Sequence, residues 1–197
     1  MREMRLAKRE IQEKKRLIEI LDQAKVLRIG TVDQEGIYIV PVNFGYEWKE
    51  GEPLRFYIHS AREGRKVQAF AASEDAGFEL DLEQGVIRGT YTCSYSYAYQ
   101  SITGTGKIRL LEDMEEKKQG LARIMEHMAP EAELCFSPEM LQAVNVYCLE
   151  AVSFKGKERK PKAAGEEGNT DGQSLADRRI YLSVSGISVR LFLTGRY

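Results

Sequence analysis

Short apolar runs divided by turn residues constrain this chain more than any other feature. Residues 25–32 (KVLRIGTV) are β-rich, DQEG at 33–36 supplies a turn, and residues 37–44 (IYIVPVNF) read as a returning strand. A second turn over 49–53 leads to a third run at 54–59. Further strands are predicted over 76–82, 97–111 and 144–154, the long one carrying Gly104 and Gly106. Strands outnumber helices and follow one another mostly through turns. That order predicts a mainly β, antiparallel fold: a sheet closed into a small barrel with peripheral helices packed outside. Pro41 cannot donate to a ladder, so its strand should be an edge, carry a bulge or end near a ligand.

Helices are expected in three places. Residues 8–23 set Ile11, Leu17, Ile18, Ile20 and Leu21 among charges. Residues 63–72 follow an S-x-x-E pattern, Ser60 to Glu63, which fits a capping box. Residues 112–128 put Leu121, Ile124, Met125 and Met128 on one side, with Asp113 placed to cap the start. The tyrosine-rich stretch 85–96 reads as a loop or an irregular strand. A domain over 1–160 is expected, followed by a C-terminal extension, 161–197. The extension opens with linker composition, and residues 180–193 then alternate either as an added hairpin or within a poorly ordered tail.

Composition narrows the class. At 197 residues and a net charge of −1, the chain has room for one domain with an appendage and no overall basic field for nucleic acid or an acidic membrane. Three widely spaced cysteines argue against a disulfide framework, and two histidines leave little for a zinc site, so no metal is expected. The charged N-terminus lacks the apolar core of a signal peptide, and no apolar run approaches the roughly 20 residues needed to span a bilayer. A cytoplasmic protein without a membrane partner is expected.

The segment LRFYIHSAREGRK, residues 54–66, carries the chemistry. An apolar strand ends in His59 and Ser60, and the chain turns into a helix with Arg65 and Lys66 in its opening turn. Unpaired N–H groups and the positive end of the helix dipole lie there, so added cations make a seat for a phosphate. The bland alternative is a pair of solvated helix charges. His59 is either an inert strand-end histidine or a group able to supply a proton near neutral pH. Asn43 and Thr31 either satisfy buried backbone or, as an amide can, bond a ligand edge. Cys93 has no neighbouring histidine and is a poor nucleophile candidate. Gly104-Thr-Gly106 lacks the third glycine and following helix of a dinucleotide fingerprint.

Three blocks, LRIGTVDQEGIYIVPVNFGY, LRFYIHSAREGRK and YQSITGTGKI, occur in the order and spacing of the pyridoxamine-phosphate-oxidase-like flavoproteins. The chain resembles that family over about residues 8–160 and is most similar to its nitroimidazole-resistance (Nim-type) branch. The resemblance implies an FMN-binding split β-barrel and a homodimer with flavin at the subunit interface. It implies that Val40, Pro41, Val42 and Asn43 run along the flavin ring system. It also implies that His59, Ser60, Arg65 and Lys66 hold the ribityl chain and phosphate, with His59 near the ring as the catalytic candidate. Ser101 and Gly104 fall in the block that approaches the cofactor or the dimer seam. FMN is expected ahead of FAD, although both carry a phosphate beside the ribityl chain. The additional substrate-phosphate residues of the strict oxidase branch have no match here, which makes pyridoxamine phosphate a poor substrate candidate.

The leading expectation is therefore an FMN-dependent oxidoreductase acting on a small aromatic substrate such as a nitroaromatic compound. Its rivals are a flavin carrier or redox-sensing module without turnover, and a nucleic-acid or partner-binding protein using the basic N-terminal helix and KGKERKPK at 155–162. Overall neutrality counts against the last.

Overall fold

A computed structural model describes residues 6–161. A 3-10 turn, Ala7–Arg9, precedes β1 (Glu10–Ile11) and α1 (Lys14–Gln23). Then come β2 (Leu27–Asp33), β3 (Gly36–Val42), β4 (Gly45–Glu47) and β5 (Arg55–Ser60). Helix α2 (Arg65–Ala72) leads into β6 (Asp75–Ile87), and a second 3-10 turn into β7 (Ser96–Leu110). Helices α3 (Met114–Met128) and α4 (Pro138–Ala143) precede β8 (Asn145–Arg159). No helix among the described residues is long and apolar enough to cross a membrane.

All ladders are antiparallel, in the order β3-β2-β6-β7-β8-β5-β4, with β1 added beside β8. The two ends of that path, β3 and β4, are neighbours in sequence, joined by Asn43 and Phe44 alone. Three residue steps reach at most about 11 Å. The sheet must therefore curl until its edges meet, and the barrel is split at the β3–β4 seam. Pro41 sits on the end strand β3, where a missing donor costs least.

Alternation places Leu27, Ile29, Phe56, Ile58, Leu80, Ile102 and Leu149 inside, each fully buried. Phe56 meets the rings of Phe44 at 5.7 Å and Phe78 at 5.0 Å in the middle of this core. Helix α1 closes one end through Leu17, Ile20 and Leu21. Helix α3 lies directly on β4: a Cβ at Gly45 would strike the α3 backbone at Arg123. As expected, Asp113 caps α3, its carboxylate accepting from the amides of Glu115 and Glu116.

Local reading went astray where long-range pairing decided. The helix expected over 8–23 starts only at Lys14, because Ile11 is buried in a ladder with Gly156 and Glu10 pairs with Lys155 at 3.0 Å. The expected Ser60–Glu63 capping box does not form. The Ser60 hydroxyl donates to the Ala61 carbonyl at 2.6 Å, and Gly64, at φ +118°, occupies the cap of α2. Strand β6 runs five residues beyond the predicted strand end at Leu82, continuing to Ile87 past a bulge between Glu83 and Gly85, so the start of the 85–96 stretch takes the irregular-strand form of its two readings. Strand β4 and helix α4 were not anticipated. The predicted extension lies outside the described residues from 162 onward.

Candidate functional site

The split in the barrel opens into a cavity of about 430 Å³ lined by Val26, Pro41, Val42, Asn43, His59 and Lys66. That volume falls within the range of small-molecule sites. Five chain segments deliver these side chains: the approach to β2, the end of β3, the β3–β4 joint, the end of β5 and the first turn of α2. Period-2 alternation along β5 buries Ile58 and Ser60 and turns His59 outward. The same alternation on β3 exposes Ile37, Ile39 and Pro41 on one face, with Asn43 continuing it beyond the strand.

The cavity lining contains no carboxylate, although the chain as a whole is slightly acidic. Burial pushes the Lys66 ammonium below the ordinary lysine range, and no described carboxylate pairs with it. His59 is likewise pushed down, by burial first and by the charge of Lys66 second, although part of its surface faces solvent. The two groups are close enough to feel one another, and neither pairs with a carboxylate among the described residues. The first turn of α2 lies alongside: its cap carries no side-chain acceptor, and Val67 and Gln68 return their amides to Gly64.

Arg65 is committed elsewhere. Its guanidinium donates to both carboxylate oxygens of Asp33, at 2.8 and 3.2 Å, pairs with Glu35 at 3.2 Å and lies 4.7 Å from the Tyr38 ring centre. That contact holds Asp33 below the usual carboxylate range and raises Arg65. Arg65 thus pins α2 to the β2–β3 turn, while its neighbour Lys66 enters the cavity.

The remaining expected site residues lie apart from the lining. Val40 is half-buried against the core, and Ser60 is buried beneath the turn after β5. Ser101 sits on β7 between Asp81 and Lys157, two ladders away from β2. Gly104 answers to packing: a Cβ there would crowd Phe78, Ser153 and Phe154. Thr31 is buried and donates to the Asp75 carbonyl, a structural bond. Val26 was missed. It is an exposed valine in a loop-flanking position, and only the curl of the sheet brings it to His59.

A second cavity, about 290 Å³, lies between α3 and the outer face of β5, β8 and β7. Within it Arg109 pairs with Glu116 at 2.9 Å and Arg55 with Glu150 at 2.9 Å, while Glu47 pairs outward with Lys49 at 3.1 Å and Arg123 at 3.0 Å. Cys148 beside them is buried, and burial pushes its thiol up to about 11, too high for a nucleophile near neutral pH.

Residues 13–158 match the family model of pyridoxamine 5'-phosphate oxidase. The chain belongs to that family. Among solved structures it is similar to a candidate 5-nitroimidazole antibiotic resistance protein from Bacteroides thetaiotaomicron VPI-5482, at 31% identity and a TM-score of 0.64, covering 76% of this chain and 86% of that one. It shares its fold with the flavocytochrome Anf3 from Azotobacter vinelandii (18% identity, TM-score 0.68, 90% and 91% covered). The same holds for an FAD and heme binding protein from Mycobacterium smegmatis (19% identity, TM-score 0.66, 84% and 77% covered). At those two identities the likeness speaks to architecture alone: a split barrel used by flavin-binding proteins. Among curated proteins, none matches the sequence.

Proposed function

We propose that this chain is an FMN-binding oxidoreductase that acts as a homodimer and passes electrons to small nitroaromatic compounds of the 5-nitroimidazole type. One observation carries the cofactor assignment. Lys66 is a partly buried ammonium with no carboxylate partner among the described residues, beside His59, in a cavity with no acidic lining. A phosphate placed there satisfies Lys66 by a charge-assisted bond and accepts from the open amides of α2. FMN ends in a phosphate monoester dianion, whereas each phosphorus of the FAD diphosphate carries one ester link, one anhydride link and a single negative charge, so FMN is the better match to an ammonium at a helix start.

The rest of the lining suits the flavin body. Val26, Pro41 and Val42 offer apolar surface to a flat ring, and the Asn43 amide can both donate and accept at its edge. When bound, the flavin supplies the electron transfer between a donor and an acceptor. Reduction of a nitro group consumes protons, and His59 is the lining group able to hold or release one near neutral pH.

The homodimer reading rests on Ile37 and Ile39, 79% and 65% exposed, on the same face of β3 as Pro41, with Val32 at 60% beside them on β2. An apolar patch continuous with the cavity rim suits a second copy that walls the open side. The nitroaromatic part draws on the similarity to the Bacteroides protein.

The test is titration of the purified protein with FMN, followed by anaerobic assay of a 5-nitroimidazole with reduced nicotinamide as donor. Submicromolar to micromolar FMN uptake and loss of the nitro absorbance are expected. Bound flavin without consumption of the nitro compound would leave a carrier or redox-sensing module. Failure to take up FMN would defeat the reading entirely.

A further inference from the structure

The cavity of about 290 Å³ beneath α3 shares no lining residue with the one that holds Lys66. Alternation along β5 buries Phe56 and Ile58 and sends Arg55 and Tyr57 outward into it. Cross-strand pairing sets Cys148 of β8 beside Tyr57, and Arg109 of β7 beside Cys148. Glu150 lies beside Arg55 in the next row. Helix α3 is the roof. Its backbone comes down at Gly120, where a Cβ would stand 2.9 Å from Val146 and 3.1 Å from Tyr57. One turn earlier, Glu116 accepts from both terminal nitrogens of Arg109, at 3.0 and 2.9 Å. Close backbone packing and a forked ion pair thus hold the recess open between sheet and helix.

The groups left unengaged in this recess define what it can take. The Tyr57 hydroxyl and the Gln119 carboxamide have no hydrogen-bond partner among the described residues. Burial pushes the Tyr57 phenol up, so it is a neutral donor and acceptor. A guanidinium has five N–H bonds. On Arg109 two nitrogens are engaged, both with Glu116; on Arg55 two are engaged, with Glu150 and Glu52. Glu150 uses one carboxylate oxygen, and Glu47 takes Lys49 and Arg123 on a single oxygen. Positively charged donors and negatively charged acceptors are both left over. A simple anion would meet the carboxylates of Glu47, Glu116 and Glu150, and a simple cation the guanidinium groups of Arg55 and Arg109. A small molecule that carries both charges and is neutral overall avoids either penalty.

We propose that this recess binds a small zwitterion of the free α-amino acid type. Its carboxylate accepts from Arg55 and Arg109, its ammonium donates to Glu47 and Glu150, and Tyr57 and Gln119 bond its remaining polar atoms. The volume, at the small end of ligand sites, restricts the ligand to a short side chain. This site lies outside the function proposed above and does not depend on it.

Calorimetric titration of the full chain with glycine, L-alanine and L-serine, with acetate and ethylamine as singly charged controls, tests this. At least one of the amino acids should bind, and each control should bind weaker by about tenfold or more, since it lacks one set of charge-assisted bonds. No binding of any of the three at millimolar concentration, or a control that binds equally well, overturns the proposal. Tyr57→Phe and Gln119→Ala should each weaken amino-acid binding severalfold while the melting midpoint stays at the wild-type value. Undiminished binding in both variants puts the amino acid elsewhere on the molecule and overturns the assignment. Should either variant fail to fold, NMR of the wild type decides: the Gln119 side-chain amide signal should shift on adding the amino acid that binds, and an unmoved signal overturns the site.

Discussion

Lys66→Met separates a ligand-binding lysine from a structural one. The substitution keeps an unbranched side chain of similar reach and removes the charge. Lys66 pairs with no described carboxylate, and burial works against its charged form. Nothing favourable is lost on removing that charge, so the thermal midpoint of the apo protein should stay constant or rise. FMN binding should respond in the opposite direction. A hydrogen bond to a charged group contributes about 1.5–3 kcal/mol, which corresponds to about a 10- to 150-fold rise in Kd. Flavin fluorescence titration measures this directly. Riboflavin, which lacks the phosphate, provides the internal control: its affinity should be the same for both proteins. Equal FMN affinity in the variant would show that the phosphate sits elsewhere. A parallel fall in apo stability and affinity would mark Lys66 as a structural residue, and the argument from an unsatisfied cation would fail.

Arg65→Ala should behave as the mirror image, because it removes the contacts to Asp33, Glu35 and Tyr38; calorimetry should show lower apo stability, and titration an FMN affinity closer to wild type than that of Lys66→Met. His59 is pushed below its ordinary value in the folded protein, so the unfolded chain binds more protons below about pH 6.5. Its contribution to stability is present above that pH and is lost as pH falls through the lower folded value; His59→Gln should flatten this acid limb of the melting profile, and an unchanged limb would assign it to other groups. Replacing Ile37 and Ile39 together by lysine should convert a dimer to a monomer in analytical ultracentrifugation and weaken FMN binding with it, while a variant that remains dimeric would place the subunit contact on another face.

Much of the barrel was readable from period and punctuation. Residues 25–60 announce three strands because alternation and turn residues are local properties, and the Asp113 cap could be placed because its partners lie within one helical turn. The family was legible for a similar reason, since its three blocks are contiguous stretches of chain. His59, Lys66, Pro41, Val42 and Asn43 were all expected at the site, and the cavity brings them together.

Other features depended on distance in sequence. Arg65 and Lys66 are adjacent and alike in type, and no local rule distinguishes them. Only the return of the β2–β3 turn, with Asp33 and Glu35, commits one cation and leaves its neighbour for the cavity. Ile11 reads as helix until Gly156 pairs with it from the far end of the domain. His127 reads as one more residue on an amphipathic helix until two carbonyls, 83 and 106 residues away in the chain, meet its ring. Periodicity and turn chemistry determine the elements because they act over a few residues. Partner assignment for charged and hydrogen-bonding groups waits on sheet closure, because it depends on which distant acceptors the curled barrel brings within about 3 Å.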